Sequence, residues 1–266
     1  MNVLHIWDIA GVASLLARYQ AKLLGWKTWV IMRKQFDPYG LTNYGEICEC
    51  SRLFFYEKVL KLVRDYDIIH IHSLDKVIPL IKFLYPSKMV VVHYHGSDIR
   101  GKWLRRRKYW RFADLVLVST PDLLEGAPRH AIYLPNPVDT ELFRPIPRLR
   151  RPNTALYFYD PLNPALSRDV EWAKKIASEL GVELTIHDRR RKPIPHKRLP
   201  LFLNRFEYFI DKHSIPSLSK TGLEALACGL KVIRWDGRIV EGLPKEHRPE
   251  DVIRKLAYLY RGAYLN

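Results

Sequence analysis

The stretch SKTGLEALACGLKVI, residues 219–233, changes from one local structure to another along its length. Leu223, Ala225, Leu226, Ala227 and Cys228 suit a helix with a face to bury, Gly229 suits a left-handed stop, and KVI opens a strand. A helix that feeds a strand is the repeating unit of a parallel sheet. The opening turn also carries chemical groups: free backbone N–H groups, the hydroxyls of Ser219 and Thr221, the Lys220 ammonium, and Gly222, which admits a ligand closely. Those are the parts of a phosphate cradle, and Glu224, about one turn on, is placed to accept hydrogen bonds from ribose hydroxyls. An ordinary capped helix uses the same residue types, so the segment alone leaves both readings open.

The alternation extends through the chain. Strands are expected near 2–7, 27–32, 68–72, 89–94, 114–118 and 131–135, with helices near 11–24, 55–65, 75–84, 102–112 and 121–126. A Pro-rich charged stretch, NPVDTELFRPIPRLRRPN, then reads as a linker. After it, strands near 154–159, 182–187, 207–211 and 231–234 alternate with helices near 167–180, 197–204, 220–229 and 249–260. The pattern predicts an α/β chain of two Rossmann-like doubly wound domains, residues 1–145 and 146–266. In such sheets ligands bind beyond the C-terminal ends of the strands, which directs attention to the loops there and to a cleft between the domains.

Composition narrows the class. With 266 residues and 47% hydrophobic content the chain can bury one large core or two modest ones. Cys48, Cys50 and Cys228 form neither a disulfide framework nor a zinc signature, which points to a reducing cytosol. No apolar run reaches membrane-spanning length, and MNVLHIWDIAG enters a strand directly, so neither secretion nor a span is expected. Glutamine occurs only at positions 20 and 35 while Lys, Arg, Tyr and Pro are plentiful, a bias found in heat-adapted proteins.

The net charge of +16 calls for an anionic partner. The excess gathers in RGKWLRRRKYWRF, residues 100–112, and RRRKPIPHKR, residues 189–198. Two readings fit the first run: a peripheral contact with an anionic inner-membrane surface, or a solvated basic helix whose aromatics face the core. No nucleic-acid recognition motif accompanies the charge.

VVVHYHGSDIRGK, residues 90–102, runs from a buried strand into a loop with His95, Gly96, Ser97 and Asp98. His95 falls at the strand end, placed to donate a hydrogen bond to a sugar hydroxyl or a developing charge; a His–Asp loop cap is the alternative. His93 shares its face, and His70 and His72 repeat the spacing on another strand, His70 as a structural residue and His72 nearer the crevice. Four histidines on two strands without an acidic partner set make a weak metal case, and no metal is expected. Gly11 precedes a helix after the first strand, but no GxGxxG or P-loop pattern occurs.

Taken together, YDIIHIHS (66–73), HYHGSD (93–98), ADLVLVSTPDL (113–123), LPNPVDTELFRP (134–145) and GLEALACGLKVI (222–233) resemble, in order, the retaining glycosyltransferases of family 4. That resemblance implies the GT-B fold, with a nucleotide-diphosphate sugar on the C-terminal domain and a glycan or lipid-linked acceptor on the N-terminal one. It implies hexosyl transfer with retention, without metal or other cofactor. His95 would meet the donor sugar, Glu224 the ribose, and residues 219–222 the diphosphate, with Gly11 and Asp98 as further contacts. Two departures stand out. Pro216 occupies the position eight before Glu224 where the family carries a glutamate, leaving Asp211 or Lys212 to replace it. YFYDPLNPALSRD lacks the usual Arg and Lys after its strand, with Arg168 the nearby cation. A degenerate nucleotide-binding protein and a sugar-nucleotide epimerase of similar architecture are the competing expectations.

Overall fold

The computed structural model describes residues 1–264. The chain divides into two compact units: Met1–Pro137 together with the C-terminal segment from Pro249, and Val138–Arg248. In the first unit the elements are β1 (Asn2–Ile6), α1 (Val12–Leu24), β2 (Lys27–Arg33), β3 (Glu46–Cys48), α2 (Arg52–Val63), β4 (Ile68–His72), α3 (Ile78–Leu84), β5 (Met89–Tyr94), α4 (Trp103–Trp110), β6 (Leu115–Val118) and β7 (Ile132–Tyr133). They form a seven-stranded parallel sheet in the order β3-β2-β1-β4-β5-β6-β7. The order reverses at β1, which pairs with β2 on one side and β4 on the other. That is where an open α/β sheet leaves a crevice at its C-terminal edge.

Strand alternation sorts the side chains onto two faces. Leu4, Ile6, Ile69, Ile71, Val90 and Val92 pack with Phe55, Val59 and Val63 of α2, Ile78 and Ile81 of α3, and Trp103 of α4. Val3, Ile68, Met89, Val91 and Leu117 pack on the other face with Leu15, Leu16 and Tyr19 of α1.

The second unit contains β8 (Thr154–Tyr159), α5 (Pro164–Arg168), α6 (Val170–Leu180), β9 (Glu183–Asp188), α7 (Leu199–Leu203), β10 (Tyr208–Ile210), α8 (Lys220–Ala227), β11 (Lys231–Ile233) and β12 (Ile239–Val240). Its sheet runs β12-β11-β10-β8-β9, parallel except for β12. Val138 and Phe143, from the stretch expected to be a linker, lie in its core with Leu156, Phe209 and Leu223.

Two expectations are corrected. The chain does not divide at 145/146: the last helix, α9 (Pro249–Tyr264), returns to the first unit. Val252, Ile253, Leu256 and Tyr260 recur at helical spacing and join the same cluster as Leu15, Leu16 and Tyr19, so burial of that stripe decides the assignment. Cys48 and Cys50 are paired, their Cα atoms 5.3 Å apart at the end of the short edge strand, so the cysteine pattern does not argue for a reducing compartment. In the basic run, Trp103 is buried and donates to the Leu123 carbonyl, and Trp110 donates to the Trp103 carbonyl. These two rings pack on the first unit's core, as the second of the two readings expects, while Leu104, Phe112 and several cations lie outside. Among the described residues no helix is long and apolar enough to cross a membrane.

Leu256 is fully buried between α9 and the sheet. Leu256→Ala is expected to destabilise the first unit by about 2–5 kcal/mol. Hydrogen exchange checks it: β1, β4 and β6 amides should lose protection while those of β8 and β10 keep theirs.

Candidate functional site

In the second unit Asp211, Ser219, Lys220, Gly222 and Glu224 meet at the start of α8. Ser219 is its N-cap, accepting from the Gly222 N–H at 2.9 Å, and Asp211 Oδ2 accepts from the Ser219 N–H at 2.7 Å. Asp211 Oδ1 accepts from the Lys212 N–H. The Asp211 carboxylate is thus a buried loop cap linking β10 to α8, held above the usual carboxylate pKa by burial. Gly222 is needed for this packing: a Cβ there would lie 2.6 Å from Asp211 Oδ2. Its smallness serves the protein's own carboxylate.

Glu224 is buried, and its Oε1 receives both Lys220 Nζ at 3.1 Å and His196 Nε2 at 3.0 Å. Burial alone would raise its pKa, yet Lys220 and His196 bring it below the ordinary glutamate value, so it stays a carboxylate at neutral pH. Lys220 and Glu224, assigned to separate ligand groups from sequence, are one ion pair. His196 was not anticipated; PIPHKR carries no periodic signal to mark it. Thr221 is partly exposed on the first turn.

Beyond β8, Arg168 ends α5 with its side chain exposed. The structure brings other cations to this edge: Arg190, just past β9, donates to Asp160 Oδ1 at 3.0 Å, and the Arg189 guanidinium lies 5.0 Å from the Phe158 ring centre. The basic run at 189–198 therefore supplies charge at the C-terminal edge of β8 and β9, where Arg168 was expected to stand alone.

In the first unit, Gly11 has φ +72° and turns the chain into α1, a conformation that suits glycine. Its position is structural: a Cβ would sit 3.1 Å from the Leu41 carbonyl oxygen. Beside it Asp8, which sequence reasoning missed, accepts from the Ala13 and Ser14 N–H groups and the Ser14 hydroxyl, and burial pushes its pKa up to about 6. Asp98 accepts from the backbone N–H groups of His95 and Gly96 and from the Ser73 hydroxyl. That is the loop-cap alternative, and it fixes the backbone that carries His95.

A cavity of about 310 Å³ opens at the same edge, lined among others by Trp7, Arg33, Arg52, Tyr56, Ser73 and Arg106. Trp7 and Ser73, at the ends of β1 and β4, have φ of +74° and +61°. Non-glycine residues held there store roughly 1–3 kcal/mol each, a feature of sites whose surroundings over-determine them. Asp75 beneath is ion-paired with Arg106 at 3.2 Å and accepts from the Tyr94 hydroxyl at 2.7 Å. The remaining cations give the cavity a positive balance.

The histidines lie closer together than their spacing suggests. His5 on β1 joins His70, His72, His93 and His95, so three strands contribute rather than two. One ring nitrogen each from His5, His70 and His72 lies within 4.8 Å of the others, as does one each from His72, His93 and His95. His70 Nδ1 and the Tyr260 hydroxyl are 2.5 Å apart. Both nitrogens of His93 lack a hydrogen-bond partner. Burial lowers all five pKa values, His5 and His95 to about 4.

These shifts make the fold acid-sensitive. A histidine whose folded pKa lies below its unfolded value contributes stability that is complete above about pH 6.5 and is lost as pH falls toward the folded pKa. Each such imidazole steepens the slope by up to about 1.4 kcal/mol per pH unit, while Asp8, shifted upward, acts oppositely between its two pKa values. Urea unfolding from pH 7.5 to 5 should show falling stability. His93→Leu, which removes two unpartnered buried nitrogens, should stabilise the protein by roughly 1–3 kcal/mol at pH 7 and flatten that slope.

No family model matches the chain, and no curated protein matches its sequence. Among solved structures it is similar to sucrose-phosphate synthase from Thermosynechococcus elongatus, at 14% identity and a TM-score of 0.58 over 99% of this chain and 90% of that one. UDP-GlcNAc 2-epimerase from Neisseria meningitidis, solved bound to UDP-GlcNAc, is similar at 13% identity and a TM-score of 0.49 over 99% and 93%. At such identity the likeness to the synthase carries the fold and nothing more. The chain has the GT-B architecture, two Rossmann-like units whose sheets are parallel but for the edge strand β12.

Proposed function

We propose that this protein is a glycosyltransferase that moves a hexose from a nucleotide-diphosphate sugar to a glycan or lipid-linked acceptor with retention. The observation that carries this reading is the start of α8, where a capped helix N-terminus, Lys220 and an ionised Glu224 share one turn. A helix N-terminus with a lysine suits a departing diphosphate, because both oppose the negative charge that grows as the glycosidic bond breaks. On this reading Glu224 accepts from the ribose, Arg189 and Arg190 add to the phosphate field, and His95 meets the donor sugar. The diphosphate takes the acceptor's proton on the face it leaves. The cationic cavity beside Trp7 and Tyr56 suits an acceptor that presents an anionic group next to a sugar ring.

A second reading, nucleotide binding without turnover, is favoured by one specific observation. Pro216 stands where the family's first acid would be, and both oxygens of its nearest substitute, Asp211, are taken by backbone N–H groups.

A thermal-shift panel of UDP, GDP, ADP and CDP with their sugar conjugates separates these outcomes. A nucleotide at one hundred times its Kd should add about 2.7 kcal/mol of stability. One base is expected to raise Tm, with the effect lost in Glu224→Ala, and the matching sugar conjugate should be transferred or slowly hydrolysed. Binding without either reaction supports the second reading, and a panel with no shift removes both.

The exposed cations of residues 102–111 also suit a charge-driven contact with an anionic membrane surface. Flotation with anionic vesicles should recover the protein at low salt and lose it at high salt. Neutral vesicles should recover none.

A further inference from the structure

The face of the first sheet that packs on α1 carries a row of imidazoles where its neighbouring positions are aliphatic. Three of them are joined end to end. Gln20 Oε1 lies 2.9 Å from His5 Nε2, His5 Nδ1 lies 3.0 Å from His72 Nε2, and His72 Nδ1 lies 2.9 Å from His95 Nε2. The ring centroids are 5.3 Å apart for His5 and His72 and 5.2 Å for His72 and His95, close to the N···N distance plus two ring radii. The nitrogens therefore point at one another, as in N–H···N hydrogen bonds.

Neutral imidazole has one donor and one acceptor nitrogen, so in a row of this kind fixing one end fixes every ring. His5 and His95 titrate at about 4 and are neutral at pH 7. The fixed end is Gln20. It presents Oε1 to His5 Nε2, while its own Nε2 meets no hydrogen-bond partner among the described residues. A carbonyl oxygen only accepts. His5 must then carry its proton on Nε2 and accept at Nδ1 from His72 Nε2–H, and His72 Nδ1 must accept from His95 Nε2–H.

We propose that Gln20, His5 and His72 are positioning residues that hold His95 as its Nε2–H tautomer, leaving Nδ1 as a hydrogen-bond acceptor. His95 is the partly exposed member of the row, while His5 and His72 are fully buried. The ring thereby requires a ligand hydroxyl or another donor at that point, and it disfavours a carbonyl, an ether or a deoxy position there. This reverses the role expected from sequence, in which His95 donates. The consequence for specificity rests on the reading that His95 meets the sugar, whereas the tautomer itself does not depend on it.

The competing occupant of this cluster is a metal ion. Its two histidine triads have the right ligand type, but His5 and His72, like His72 and His95, point straight at each other. A shared ion would require both rings of a pair to turn toward a common point to one side of that line.

Two-bond ¹H–¹⁵N correlation spectra of ¹⁵N-histidine-labelled protein at pH 7 test the proposal, since they distinguish protonated from bare ring nitrogens. His5, His72 and His95 should all show the proton on Nε2. Gln20→Met, which keeps the shape and removes the carbonyl, and His72→Phe, which cuts the row, should each turn His95 into a mixture of tautomers. A proton on His95 Nδ1 in the unmodified protein overturns the proposal, as does an unchanged His95 pattern in both variants. So does stoichiometric zinc uptake that shifts the His5 and His72 resonances. The unmodified protein's spectrum decides the direction even where a variant fails to fold, and loss or absence of glycosyl transfer leaves this result untouched.

Discussion

Beta-strand β1 is flanked on both sides, by β2 and by β4, and that double pairing governs the rest of the first unit. Chain connections leave it in opposite directions, which opens the crevice at its C-terminal end. Trp7 and Ser73 bend away there in left-handed conformations, and the cationic cavity forms around them. The register of the same pairing sets His5 beside His70, and that of β4 with β5 sets His72 beside His93. Crevice and imidazole row follow from one arrangement of hydrogen bonds.

Burying that row is costly, because unpaired polar groups in a core are destabilising by roughly 1–3 kcal/mol each. The protein meets most of the cost locally. Gln20 from α1 and Tyr260 from α9 each take one ring, and the rings serve one another. His93 remains unpartnered, the kind of local conflict that natural sequences carry near sites of function. Helix α9 therefore does two things: it covers aliphatic surface and supplies a polar partner to the sheet.

In the second unit the balance differs. Asp211, Ser219, Gly222, Lys220, Glu224 and His196 are bound mainly to one another, so the start of α8 is organised before any ligand arrives. Such preorganisation lowers the cost of ordering on binding. It also ties Lys220 to Glu224: a ligand phosphate that draws the ammonium away would leave the carboxylate dependent on His196 and on the ligand's own donors.

Much of this was set by the sequence itself. Apolar runs of strand length followed by helical periodicity fixed the strands at 2–6, 68–72, 89–94 and 154–159, because burying such runs on both faces permits little else. Ser219 as a cap and α8 feeding β11 were equally legible, since capping and periodicity are local. What tertiary structure alone decided is which distant residues meet. The stripe on α9 looks the same whichever unit it covers, and only packing assigned it to the first. Gly222 looks like room for a ligand until Asp211 is seen to fill it, and Asp98 looks like a ligand contact until its oxygens are seen on backbone N–H groups. His5 and Gln20 are unremarkable as single residues. Their meaning comes from contacts across 67 and 15 positions, which no local pattern encodes.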